Sequence, residues 1–319
     1  MARPRVVIDT DPGVDDAVAI LLALASPEID VVALTTVAGN VSLDKTTLNA
    51  RRLLHLARRR DVTVAAGCAQ PLAGPSGDAR EVHGNDGLSD LTWDEPEVVL
   101  SREHAVDLLA RLIDEAPLTI VAIGPLTNLA TLLDRYGGIE RRVERVVLMG
   151  GASFEGNVTP AAEFNVWADP EAADRVLAAG WPVTVMPLDL THQAYLVDDD
   201  IQFMRGLQSD VGQRLADILE PHARVHEARH GNRHLYMHDS MAIYEVIDPS
   251  AIEKQGVSIR VETDGRHSRG ATWIDRRPMH QDSRVQVGTT VDNRAFVTLL
   301  RERLVSYGAA APPPQRAVG

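Results

Sequence analysis

The chain has almost no cysteine and almost no lysine. Cys68 is the only cysteine among 319 residues, which excludes an intramolecular disulfide and any cysteine-built zinc centre. Lys45 and Lys254 are the only lysines, so arginine carries nearly all the basic charge. Positive charge is also in deficit: 32 Lys and Arg face 45 Asp and Glu, for a net charge of −13. Such a chain is a poor partner for a nucleic-acid backbone or an anionic membrane. It has no apolar run long enough to span a bilayer and no secretory pattern around Met1–Arg5. A cytoplasmic enzyme is the expectation. No internal repeat or linker divides the sequence, so one domain is expected over 1–308. The stretch Ala309–Gly319, with three consecutive prolines, is expected to be a disordered tail.

What is abundant sits near the start. Asp9-Thr10-Asp11-Pro12-Gly13-Val14-Asp15-Asp16-Ala17 packs four carboxylates into eight positions. The apolar run Val6-Val7-Ile8 before it reads as a buried strand, and Ala17 to Leu24 after it reads as a buried helix. Pro12-Gly13 makes the turn. So many like charges at one turn are unfavourable unless a cation sits among them. An all-oxygen ligand set favours calcium or magnesium over zinc. A helix N-cap explains one or two of these acids, not four.

Beyond the turn, strands alternate with helices. Strands are expected at Ile29–Val37, Val62–Ala66, Leu118–Ile123, Val143–Met149 and Pro182–Met186. Helices are expected near 42–59, 104–115, 124–133 and 170–179. The last third adds helices over 201–230 and 240–246, strands near 257–261, 271–274 and 284–287, and a final helix from about 293 to 307. This alternation means parallel strands joined by crossover helices. The expected architecture is therefore α/β: an open, mostly parallel central sheet with helices on both faces. Ligands bind such sheets beyond the carboxyl ends of the strands, where the acidic turn, Gly39-Asn40, Gly124–Asn128 and Gly150-Gly151 fall. Two long segments, Gly67–Glu97 and Gly150–Asp169, read as irregular, and long loops at a ligand edge are usually functional. His83 lies in the first and is a candidate substrate-binding residue.

These motifs, in order, closely resemble the inosine-uridine nucleoside hydrolase family. The acidic turn is similar to its N-terminal signature. Thr35-Thr36-Val37-Ala38-Gly39-Asn40, Gly124-Pro125-Leu126-Thr127-Asn128, Val147-Leu148-Met149-Gly150-Gly151 and Ala162-Glu163-Phe164-Asn165 are similar to later segments, and Leu188–His192 and His238-Asp239 follow. The resemblance spans nearly the whole chain. It implies a Rossmann-like fold, a homodimer or homotetramer, and calcium-dependent hydrolysis of ribonucleosides to ribose and a free base. It assigns Asp11, Asp16, Asp239 and the Thr127 carbonyl as calcium ligands, with Asp15 supporting the site and meeting a ribose hydroxyl. Asn40, Asn157, Glu163 and Asn165 would hold the ribose. Asp11 would be the general base, and His238 would protonate the leaving base. Tyrosines frequent upstream of the His-Asp pair in the family are replaced by Arg and His across His226–Tyr236, which leaves the base open between purine and pyrimidine.

The residue types suit this chemistry. An N-glycosidic bond breaks through an oxocarbenium-like sugar while water attacks the opposite face. Carboxylates stabilise the sugar cation, calcium can orient hydroxyls and water, and imidazole can donate a proton to the base. Two other readings compete. A haloacid-dehalogenase-type phosphohydrolase would use Asp9 and Asp11 but needs a lysine at the phosphate. A non-catalytic nucleoside or sugar sensor would keep the metal site alone.

Overall fold

The computed structural model describes residues 3–75, 77–278 and 282–308. The expected tail lies outside the described residues. In chain order the elements are β1 (Arg5–Thr10), α1 (Val14–Ala25), β2 (Asp30–Thr36), α2 (Leu43–Leu56), β3 (Thr63–Ala66), α3 (Arg80–His83) and α4 (Ala105–Glu115). Then come β4 (Thr119–Ala122), α5 (Thr127–Arg135), β5 (Arg145–Met149), α6 (Phe164–Ala168), α7 (Pro170–Ala178), β6 (Val183–Met186) and α8 (Leu188–Thr191). The last third contains β7 (Tyr195–Leu196), α9 (Asp198–Gly206), α10 (Asp210–His230), β8 (Leu235–Tyr236) and α11 (His238–Ile247). It closes with β9 (Ile252–Val261), β10 (Thr272–Asp275), β11 (Asp282–Val291) and α12 (Asn293–Val305).

Nine strands form one open sheet in the order β10-β9-β11-β6-β5-β4-β1-β2-β3, and β7 pairs with β8 separately. From β11 to β3 all neighbours are parallel; β9 runs antiparallel between β11 and β10. Strand β1 shows why its sequence is apolar without alternation. Val6 and Ile8 enter one core with α1, α2, α10, α11 and α12, while Val7 enters the other with α4, α5 and α7. Both faces of the sheet are covered, so both sides of the strand must be apolar. Helix α1 is buried nearly all round, which is why its sequence lacks a polar face.

The parallel α/β architecture agrees with the sequence expectation, and most boundaries shift by a few residues. The two irregular segments contain short helices, α3 and α6, and α8 follows β6. Four or five residues are too few to show a helical period. Strands β9 and β11 run longer than expected, because register shifts in β11 near Gln286 and Gly288 interrupt its alternation.

Candidate active site

The carboxyl ends of β1, β2, β4 and β5 open onto a cavity of about 680 Å³. Its floor is the acidic turn. Asp16 sits in the first turn of α1, with one oxygen accepting from Gly13 N at 2.9 Å and the other from Thr10 Oγ1 at 2.5 Å. Asp15, Asp16 and Asp239 bring one carboxylate oxygen each within 4.8 Å of one another. Asp239 comes from the first turn of α11, so the floor joins two distant segments. Asn40 ties in Asp11: its backbone N–H donates to Asp11 Oδ2 at 2.7 Å, and its amide donates to Asp16 Oδ2 and to the Asp11 carbonyl, each at 3.2 Å. Asp11 fits only because its neighbours are glycines. A Cβ on Gly39 or Gly124 would stand 2.0 or 2.6 Å from its carboxylate.

Among the described residues no basic group balances these acids. Burial, then the mutual repulsion of Asp15, Asp16 and Asp11, pushes Asp239 well above the usual carboxylate range, and burial raises Asp11 and Asp16 likewise. Asp11 Oδ1 is buried without a hydrogen-bond partner. A crowded oxygen cluster with an orphaned buried acceptor is the donor set a hard cation takes. Asp9, also buried, lies behind them. It accepts from Thr35 Oγ1 and Asn128 Nδ2, and burial lifts its carboxyl to about 7.

Beside the floor, Glu163 caps α6. Its carboxylate accepts from the backbone N–H groups of Gly151, Asn165 and Val166 at 2.9, 2.8 and 3.1 Å, yet burial still raises it to about 7. Asn165 donates to the carbonyls of Ile123 and Met149. Asn157 Oδ1 accepts from Phe164 N. All three line the cavity with Asp15, Asn40 and Asp239.

The opposite wall is built from imidazoles and the second half of α10. His238 Nδ1 lies 2.7 Å from Thr191 Oγ1. Its ring centroid is 5.5 Å from that of His192 and 5.9 Å from that of Tyr236. Burial, then the neighbouring histidines, drives His238 down to about 3, so it is a neutral imidazole at pH 7. His83 lines the cavity with its Nδ1 accepting from Val14 N at 3.1 Å. It stacks on His222, and burial holds it near 3 as well.

The sequence model of the inosine-uridine preferring nucleoside hydrolases matches residues 6–298. The chain belongs to that family. A pyrimidine-specific ribonucleoside hydrolase RihA from Photobacterium profundum is 41% identical over 314 residues, covering 96% of this chain and all of its own. The RihA of Shewanella woodyi is 40% identical, with 96% and 99% covered. Among solved structures, a plant nucleoside hydrolase, PpNRh1, aligns with a TM-score of 0.89 at 36% identity, covering 96% of this chain and all of its own. A purine-preferring ribonucleoside hydrolase from Gardnerella vaginalis aligns at 0.91 and 29% identity over the same shares. Membership makes the protein a nucleoside hydrolase, an enzyme that cleaves N-glycosidic bonds.

Against the roles this family resemblance implied, the structure gathers Asp15, Asn40, His83, Asn157, Glu163, Asn165, His238 and Asp239 around one cavity, with the fully buried Asp11 and Asp16 held behind that lining by Asn40. It does not bring Thr127 there. Thr127 opens α5, its hydroxyl donates to Asp169 Oδ2, and its carbonyl accepts from Thr131 Oγ1. The strand-end residue that does line the cavity is Ile123, four positions earlier. The lysine required by a phosphohydrolase is missing from the cavity too: Lys45 donates to the Asn85 carbonyl and Lys254 pairs with Glu245. The cavity residues without a role in the sequence reading come from α8, its C-cap and α10: Asp189, His192, His222 and Val225; Arg229 enters that reading only as an alternative proton donor to the base. His222, Val225, His226 and Arg229 are spaced i, i+3, i+4, i+7, one face of a helix. That spacing was the available signal, but a largely polar stripe reads as solvent-facing until a cavity is known to lie against it.

Proposed function

We propose that this nucleoside hydrolase splits ribonucleosides, pyrimidine ribonucleosides foremost, into ribose and free base with calcium in the acidic floor. The observation that carries the reading is the buried carboxylate cluster, with its orphaned Asp11 oxygen, at the bottom of a nucleoside-sized cavity. Asp11, Asp16 and Asp239 would hold the ion, with the Ile123 carbonyl as a backbone ligand in place of Thr127. When bound, calcium would offset the floor's charge and orient hydroxyls and water.

The chain's own groups supply the rest. Asp15, the partly exposed member of the acidic set, suits a ribose hydroxyl. Asn40, Asn157, Glu163 and Asn165 present amide and carboxylate groups to the sugar, and each is locked by its own backbone bonds, so little order is lost on binding. Asp11 takes the proton of the attacking water. The floor's negative charge stabilises the cation-like sugar. His238, beside Asp239 in sequence, would hand a proton to the leaving base. The pyrimidine preference rests on the RihA relatives, about 40% identical over nearly the whole chain.

The test is to incubate the protein with calcium and a nucleoside panel and to measure free ribose, with a chelator in a parallel arm. Release of ribose from uridine and cytidine that the chelator abolishes supports the reading. Tight nucleoside binding with no ribose released identifies a sensor and overturns it.

A further inference from the structure

Breaking an N-glycosidic bond separates charge. The sugar becomes positive and the base leaves as a nitrogen anion, its charge spread over ring carbonyl oxygens. The cavity has a matching polarity. Asp11 and Asp16 are fully buried at the floor and Asp239 nearly so, at 4% exposure. Arg229 lines the same cavity from α10 and keeps 45% of its side chain exposed. Among the described lining residues it is the only Arg or Lys. A guanidinium stays protonated across the physiological range and presents five donors with no acceptor. It is thus suited to oxygens that are gaining negative charge.

Arg229 is held loosely enough to serve. Its Nη2 lies 3.4 Å from the Glu81 carbonyl and 3.6 Å from the Glu81 carboxylate, whose side chain is 91% exposed. An exposed pair of this kind contributes little, so the guanidinium can leave Glu81 for a ligand without a large penalty. Arg229 stands on α10 one turn beyond Val225 and His226, on the same cavity-lining face.

We propose that Arg229 is a catalytic residue that receives the departing base, pairing with its carbonyl oxygens as the bond breaks. This rests on the hydrolase reading above. The carbon–nitrogen bond at C1′ breaks, and both electrons go to the base nitrogen and onto the carbonyls facing Arg229. Water oxygen bonds to C1′, its proton passes to Asp11, and the base nitrogen held by Arg229 takes its proton from His238, which is reprotonated from solvent. The substrate class is nucleosides whose base carries a carbonyl next to the glycosidic nitrogen, as uracil does.

The experiment compares Arg229→Gln and Arg229→Lys with the wild type on uridine, 5-fluorouridine and p-nitrophenyl riboside. The second leaving group is more acidic than the first, and the third departs as a phenolate. For Arg229→Gln, kcat/KM should fall about 10²-fold on uridine, the scale of one lost charge-stabilising donor. The fall should be smaller on 5-fluorouridine and smallest on p-nitrophenyl riboside. Arg229→Lys should fall between wild type and Gln. An equal fall on all three substrates, or none on uridine, overturns the inference while the wild type continues to turn over nucleosides. A wild type that releases ribose from no nucleoside overturns the hydrolase reading itself.

Discussion

Asp239 and Arg229 line one cavity, yet they are held in different ways. Around Asp239 the floor is buried and rigid, with carboxylates fixed by backbone N–H groups, by Asn40 and by glycines that leave no spare room. Around Arg229 the mouth is half-exposed and held by long, weak contacts to Glu81, 3.4 Å to its carbonyl and 3.6 Å to its carboxylate. A rigid floor suits the part of the reaction common to all substrates, the ribose. A looser mouth suits the part that varies, the base.

This division is broken most directly at Asp11. Asp11→Ala should lower kcat/KM by about 10²-fold or more, the scale of a lost general base, and by a similar factor on uridine, inosine and p-nitrophenyl riboside. A strongly substrate-dependent loss would place Asp11 with the base rather than the sugar. In calorimetry, Asp16→Ala should bind calcium far more weakly than wild type, and unchanged affinity would remove Asp16 from the ligand set.

The two regions should also pull stability in opposite directions with pH. Asp9 ionises near 3.8 when unfolded and near 7 when folded. Between these values the folded protein holds a proton the unfolded chain has lost, so this stability is full at low pH and fades as pH rises to about 7. His83 and His238 ionise near 6.5 unfolded and about 3 folded. Their contribution is present above pH 6.5 and is lost as pH falls toward 3. Melts in chelator from pH 4 to 8 should show both limbs. Asp9→Asn keeps an oxygen for Thr35 and Asn128, so it should flatten only the limb that falls with rising pH, by on the order of 2–4 kcal/mol in full. Identical slopes in variant and wild type would show that the Asp9 carboxyl is already ionised in the fold.

His238→Ala should give a smaller, substrate-dependent loss. A neutral imidazole is a weak acid, so roughly a 10-fold fall on uridine is expected, below the usual contribution of a positioned proton donor, with little effect on p-nitrophenyl riboside. Equal slowing of both would make His238 a sugar or structural residue. The smallest effect is expected at Trp93. Trp93→Ala removes its cation–π contacts with Arg52 and Arg214, worth about 1 kcal/mol each at most at such a site. It should raise KM modestly by loosening the 67–97 segment over the cavity. A lowered kcat with unchanged KM would argue against that segment acting through substrate retention.

Legibility in the sequence followed the range of the interactions. The acidic turn was readable because Gly13, Asp16 and Thr10 satisfy one another within seven residues. The strands of the parallel block were readable because burial on both faces leaves an uninterrupted apolar run. Helices α3, α6 and α8 were not, because four or five residues show no period, and α3 and α8 have no side-chain cap to mark their starts. Thr127 was expected at the floor because it stands in a motif. Which carbonyl of that motif turns toward the cavity depends on where β4 ends and α5 begins, and that boundary is set by packing.

The sequence by itself determined the alternation of strands and helices, the acidic turn between β1 and α1, and the polar groups suited to a sugar. These are local patterns of burial and hydrogen bonding along the chain. Tertiary structure alone decided that Asp239, far along the chain in α11, joins that turn. It alone decided that Ile123 rather than Thr127 reaches the cavity, and that a polar face of α10 closes over it rather than meeting solvent. Each depends on the relative placement of distant elements, which the packing of two cores against one sheet fixes and no single segment encodes.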